Sequence, residues 1–291
     1  MKPTAFDYHR PDTAAEAVGL LADLGDGAKV LGGGQSLVPM LALRLAVFDH
    51  LVDIGRVAEI TGIERRADEL WVGAGTTETA VERSAEVAAS VPLLARATPY
   101  IGHFQIRNRG TVGGSIAHAD PAAEYPAVAL ALDARLEARS PRGARTIAAD
   151  QFFTGLWDTA LEPDELLTGV TFPIWSGRCG FAVEEMARRH GDFAIAGGVV
   201  AVELDGDDRV ARCGIGLLGL ASTPVRATAA EAGVAGVAVS DIDPDEVGRV
   251  AVSGLTSIPS DLHGSAAYRA RVGAAMASRA WAAATQEALG G

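Results

Sequence analysis

Two glycine-rich stretches are where this sequence can do chemistry: Gly32-Gly33-Gly34-Gln35-Ser36 and Gly110-Thr111-Val112-Gly113-Gly114-Ser115. A diphosphate held without lysine or metal needs converging backbone N–H groups, and only glycine lets a backbone come that close. Ser36, Thr111 and Ser115 add hydroxyls, so two such loops can clamp one diphosphate from both sides. The plainer alternative is a pair of tight turns. Lysine occurs only at Lys2 and Lys29, and neither follows a glycine, which excludes a Walker-type phosphate loop. A dinucleotide-binding βαβ fingerprint also fails, because Leu37 stands where its third glycine belongs.

Other chemistries leave weaker traces. Gly113-Gly114-Ser115-Ile116-Ala117 has the outline of a hydrolase nucleophile elbow, but His118 lies only three residues on, whereas a triad histidine arrives from far along the chain. His118, Asp120 and Glu124 pass only part of a metal test, since no second histidine or third carboxylate joins them. Glu124 can equally accept hydrogen bonds from sugar-like hydroxyls. No catalytic residue and no metal ligand is assigned. The two cysteines, Cys179 and Cys213, form no CxxC pair and no iron–sulfur set.

The surrounding pattern supplies elements to position the loops. Thr13 and Glu16 form a capping box ahead of a helix carrying Ala17, Val18, Leu21 and Leu24, which Gly25 stops. Strands are expected at 29–31, 51–54 and 70–75, a brief helix at 37–45, and one long helix over about 77–97. Asp120-Pro121 reads as an N-cap and first helical residue. Strands at 134–139 and 166–173 close this part. Beyond it, 193–204 and 210–218 pair antiparallel across Asp205-Gly206-Asp207-Asp208, and helices follow at 224–235, 244–253 and from about 264, the last with Val272, Ala275, Met276 and Ala280 on one face. The fold class is α+β in two domains, 1–176 (lobes of about 1–55 and 56–176) and 177–291.

Composition bounds the function. With 291 residues, 48% of them hydrophobic, the chain can fill two cores. A net charge of −12 and no basic block argue against nucleic acid and anionic membranes. No apolar run is long enough for a membrane helix and the N-terminus lacks an apolar signal core, so a cytoplasmic protein is expected.

At this point the residues resemble a known family. Leu31 to Met40, with Ile106-Arg107-Asn108-Arg109 running into the second glycine cluster, is similar to the FAD-binding subunit of molybdenum hydroxylases. The match is nearest to the medium subunit of aerobic carbon monoxide dehydrogenase-type enzymes, within the wider xanthine dehydrogenase family. Ala187-Arg188-Arg189-His190-Gly191-Asp192-Phe193-Ala194 and His263-Gly264-Ser265-Ala266-Ala267-Tyr268-Arg269 extend it over nearly the whole chain.

The resemblance implies a vanillyl-alcohol-oxidase-like (PCMH-type) FAD-binding domain followed by a smaller α+β domain of the CO dehydrogenase flavoprotein kind. By position, it implies that Gly32, Gly33, Gly34, Gln35, Ser36 and Leu37, with Thr111, Gly113, Gly114, Ser115 and Ala117, hold a non-covalent FAD, the glycine clusters by their amides. Glu124 would bond ribityl or ribose hydroxyls. Ile101, Gly102 and Leu167 would line the flavin or adenine pocket, and Phe193 would lie against the isoalloxazine. Two positions depart from the family pattern: Ser115 replaces a common asparagine, and Glu184-Glu185 stands where many members have a lysine near the flavin. Loss of that positive charge would make the flavin harder to reduce.

The function so implied is electron relay. A small subunit with two [2Fe–2S] clusters and a large subunit with the molybdenum cofactor would be partners in a dimer of heterotrimers, and FAD here would pass electrons to a quinone, NAD or dioxygen. Two rivals stay open. A stand-alone FAD oxidoreductase would use Arg188, Arg189 or His190 over the flavin face, and a module that has lost flavin would be colourless.

Overall fold

The fold, taken from a computed structural model, is described for residues 2–290. The first lobe is a parallel three-stranded sheet. Its strands β1 (Asp7–His9), β2 (Ala28–Leu31) and β3 (His50–Asp53) lie in the order β1-β3-β2. Helix α1 (Ala14–Leu24) crosses between the first two and buries Ala14, Ala17, Val18 and Leu21 against Val52 and Ile54. Thr13 accepts the Glu16 amide at 3.1 Å, as expected, but the Glu16 carboxylate receives the amide of Asp12, one residue earlier than a capping box predicts. Helix α2 (Leu37–Ala42) follows directly on the first glycine cluster and stops three residues short of expectation.

The second lobe is an antiparallel sheet of five strands. In chain order it begins with β4 (Ile63–Arg66) and β5 (Glu69–Gly73). The helix expected over 77–97 is three short ones: α3 (Glu78–Glu82), α4 (Ala85–Ser90) and α5 (Pro92–Ala97). Ser84 breaks the run by capping the Val87 amide, and Pro92 then restarts it at a first-turn position. Next come α6 (Phe104–Arg107), α7 (Val112–His118) and α8 (Glu124–Ala131). Asp120 is not the cap of α8. Its side chain accepts the amide of Ala122 and its carbonyl that of Ala123, so Asp120-Pro121 is a turn and the helix opens at Glu124.

Strands β6 (Arg135–Ser140) and β7 (Gly143–Ala148) form a hairpin, and α9 (Ala149–Phe152) leads to the small pair β8 (Phe153–Gly155) and β9 (Asp158–Thr159). Strand β10 (Leu166–Pro173) then inserts centrally, giving the order β4-β5-β10-β6-β7.

The third sheet, β11-β12-β13-β14, is antiparallel throughout, with β11 (Arg178–Met186), β12 (Ala196–Leu204), β13 (Val210–Leu218) and β14 (Val225–Arg226). The expected hairpin across Asp205–Asp208 is present. Helices α10 (Thr228–Val234), α11 (Pro244–Ser253) and α12 (Ala266–Gly290) complete the chain. On α12 the buried face is Gly273, Met276, Ala277, Ala280, Trp281 and Ala284, while Ala275 is exposed and Val272 half-buried.

Every residue of α8 is buried, which is what a helix apolar nearly all round requires. It lies between the second lobe and the third sheet: a Cβ added to Gly214 or Gly216 of β13 would strike the carbonyls of Ala131 and Ala127. One hydrophobic cluster therefore runs from the five-stranded sheet through α8 into Val183, Val199 and Leu218 of the third sheet.

Candidate functional site

The two glycine clusters meet. A side chain on Gly33 would strike the carbonyl of Arg109 and come within 2.7 Å of the Gly110 Cα, so only glycine allows the first loop to lie on the second. Gly32 abuts the Thr111 hydroxyl in the same way.

Their amides differ in kind. Among the described residues, none of the backbone N–H groups of Gly32, Gly33, Gly34, Gln35, Ser36 and Leu37 donates to a protein acceptor. All six residues are partly exposed. Six consecutive free donors on a half-exposed turn form a cradle with the chemistry that an anionic group needs. In the second cluster the donors are engaged. Val112 donates to the Thr76 carbonyl at 3.0 Å, Gly113 to Ala74 at 2.8 Å, Gly114 to the Thr111 hydroxyl at 3.0 Å and Ser115 to the Thr111 carbonyl at 2.9 Å. The expectation that both clusters contribute free amides is corrected to one: the second braces the first and offers the exposed Gly114 and the unbonded Ser115 hydroxyl.

The remaining expected residues divide. Ile101 and Gly102 form a half-buried turn whose carbonyls both accept from the buried Arg107 guanidinium, at 3.1 and 3.0 Å. The same guanidinium grips Glu82 through two hydrogen bonds. Phe193 stands on the loop between β11 and β12, 69% exposed, and His190 of that loop lies 6.5 Å from His103 of the first domain, ring to ring. Ala117 is half-buried on α7. Leu167 is not on an open wall: it is 4% exposed in the main core, next to a bulge in β10, so its side chain has little surface for a ligand. Glu124 is 7% exposed, and among the described residues no other group bonds its carboxyl. Burial, with Glu185 as a lesser cause, pushes that carboxyl well above the usual carboxylate range. Glu185 is itself pushed up to about 7 by burial, with Oε2 buried and unbonded.

Two further residues shape the site, neither of them marked for that role by the sequence. Arg107 shapes the 101–102 turn. Glu78, the first residue of α3, has its carboxyl against Gly110. Its sequence signal was that of an ordinary acidic first-turn residue behind the Thr77 cap. Two cavities, of about 400 and 550 Å³, lie away from the glycine loops. The larger is lined by Tyr100 and Pro99 of the first domain and by Phe181, Val183 and His190 of the second.

The comparisons with known proteins agree with this geometry. Residues 4–175 match the model of the FAD binding domain in molybdopterin dehydrogenase, and residues 181–284 that of the CO dehydrogenase flavoprotein C-terminal domain. The chain belongs to the family of FAD-binding medium subunits of molybdenum hydroxylases. This medium-type subunit is 41% identical, over 99% of its length and 97% of the relative's, to the 6-hydroxypseudooxynicotine dehydrogenase complex subunit alpha of Paenarthrobacter nicotinovorans. It is 37% identical to the carbon monoxide dehydrogenase medium chain of Hydrogenophaga pseudoflava, over 96% of this chain and 97% of that one. A solved carbon monoxide dehydrogenase from Hydrogenophaga pseudoflava superposes with a TM-score of 0.96 at 39% identity, covering 99% of both chains. Quinoline 2-oxidoreductase from Pseudomonas putida 86 superposes at 0.93 and 34% identity, over 99% of this chain and 100% of that one. The medium-type subunit is therefore the FAD-binding part of an oxidoreductase, and among its described residues no helix is long and apolar enough to cross a membrane.

Proposed function

We propose that this subunit relays electrons through a non-covalently bound FAD, from [2Fe–2S] clusters on a small partner subunit to an external acceptor. In this reading substrate is oxidised on a large, molybdenum-binding subunit, and the complex is a dimer of heterotrimers in the cytoplasm. The observation that carries it is the run of six free amides at Gly32–Leu37 braced by Gly110–Ser115. Bound FAD supplies two-electron redox chemistry with single-electron steps. The chain's own residues bind and orient it: the free amides receive the diphosphate, Ser115 and the Glu124 carboxyl offer partners for hydroxyls, and Phe193 presents an open aromatic face on the loop whose Gly191 lies against Gly102. Thr111, Gly113 and Gly114 act as the brace.

The cysteines support an electron source on another chain. Both are free, and burial pushes their thiols up, Cys179 to about 11 and Cys213 to about 12, the reverse of what a metal-binding thiolate needs. The test is the visible spectrum of the purified chain, repeated on the supernatant after heat denaturation. Flavin bands that pass into the supernatant and chromatograph as FAD are the expected result. A colourless protein that takes up no added FAD would sink the reading.

A further inference from the structure

We propose that Glu78 is a positioning residue for the diphosphate site: its buried carboxyl lies against the Gly110 Cα and sets where the second glycine loop meets the first. The inference rests on the reading that these loops hold FAD.

The backbone around Glu78 and the second cluster form one paired unit. The Glu78 amide donates to the Gly110 carbonyl at 2.9 Å, Val112 donates back to Thr76 at 3.0 Å, and Thr77 and Thr111 form an antiparallel bridge between them. A Cβ on Gly110 would fall 2.7 Å from the Glu78 Cδ, so the carboxyl rests directly on the glycine. That same Gly110 Cα is what a side chain on Gly33 would strike. The cradle, Gly110 and the carboxyl thus form a continuous contact, and moving any one member moves the cradle.

The carboxyl is also alone. Glu78 is 3% exposed and its Oε2 is buried without a hydrogen-bond partner. The charged and titratable groups around it are Arg107 of α6, Glu82 of its own helix, and Glu124 and Tyr125 of α8. Arg107 alone favours a negative charge there, and its guanidinium is already engaged by Glu82 and three carbonyls. Tyr125 bonds Thr98 instead. An ionised carboxylate would be a buried charge with no bonded partner, and burial accordingly pushes Glu78 up to about 8. The neutral acid is the form that fits at pH 7.

A function follows from the charge. An anionic diphosphate next to Gly33 repels an ionised Glu78 and leaves the neutral acid undisturbed. Binding then favours the protonated form. The Kd for FAD is flat below about pH 8 and rises above it, by at most about tenfold per pH unit, with a proton taken up on binding in that range.

The experiment is an FAD titration of the purified full chain by flavin fluorescence between about pH 6.5 and 9.5, with circular dichroism to confirm folding at each pH. The expected wild-type Kd rises about fivefold or more between pH 7.5 and 9, and Glu78→Gln, neutral at every pH, removes the rise. A merely structural Glu78 would change affinity without changing the slope. If Glu78→Gln does not fold, proton uptake on binding of FAD to the wild-type chain, followed with an indicator dye in weak buffer near pH 8.5, decides. A flat wild-type profile, an unchanged slope in Glu78→Gln, or binding without proton uptake overturns the proposal while leaving FAD binding intact. No FAD binding at any pH overturns both.

Discussion

Gly33 is the residue on which the site turns, because the clash awaiting a methyl group there is with backbone on both counts, the Arg109 carbonyl and the Gly110 Cα. Backbone braced by neighbouring hydrogen bonds cannot rotate aside as a side chain can. Gly33→Ala must therefore part the two loops, and the expected outcome is a fall in FAD affinity of more than about tenfold, or about 1.4 kcal/mol. Flavin content on purification and a fluorescence titration measure it. Gly19 is the control: it sits inside α1 with nothing within 4 Å of an added Cβ. Gly19→Ala should stabilise the chain by about 0.5–1 kcal/mol and leave FAD binding as it was. Equal flavin content in both variants would remove the close contact from the account of binding.

Among the elements, α12 holds the end of the 187–195 loop through Arg269. Arg269 is 5% exposed and donates to the carbonyls of Ile195, at 2.5 Å, and Gly219, at 3.3 Å, while its other nitrogen holds Asp261. Ile195 ends the loop that carries Phe193, and the Gly219 amide bonds Pro121 just ahead of α8. Arg269→Ala leaves two carbonyls without their donor, so a loss of about 2–4 kcal/mol in a denaturant melt is expected, with faster proteolysis at 187–193. Unchanged cleavage there would separate the helix from the Phe193 loop. The sequence carried the Arg269 motif but no partner for it, since Ile195 and Asp261 come from different stretches. What was legible were local signals: the Thr13 cap, the 205–208 turn, the α11 span, both glycine clusters. What was not legible came from tertiary context. The free or engaged state of an amide depends on Ala74 and Thr76, far from residues 112–113 in the chain, and the burial of Leu167, Glu124 and Glu78 depends on the sheets that close over them.

Across the whole molecule the buried acids and the paired acids act on stability in opposite directions. Asp164, Glu165, Asp261 and Glu287 are held below the usual carboxylate range chiefly by hydrogen bonds from Arg142, Arg145, Arg269 and Arg96. Their contribution is complete above their unfolded values near 4 and is lost as pH falls through the folded ones. Glu78 and Glu185, raised to about 8 and about 7 by burial, and Glu124, raised well above the usual range by the same cause, behave in reverse. Between about pH 4.5 and 8 the folded chain keeps protons that the unfolded chain has released, so stability falls as pH rises through that window. The Tm of the flavin-free chain should therefore peak near pH 5 and decline by several degrees toward pH 8, followed by thermal melts at constant ionic strength. General repulsion in a chain of net charge −12 is not a substitute cause, because the surface carboxylates are already ionised at pH 5 and change little above it. The triple variant Glu78→Gln, Glu124→Gln, Glu185→Gln separates the two explanations: it should flatten the limb above pH 5 and leave the acid limb where it was. A decline that survives all three substitutions would assign the slope to other groups, and with it would go the neutral carboxyl beneath Gly110.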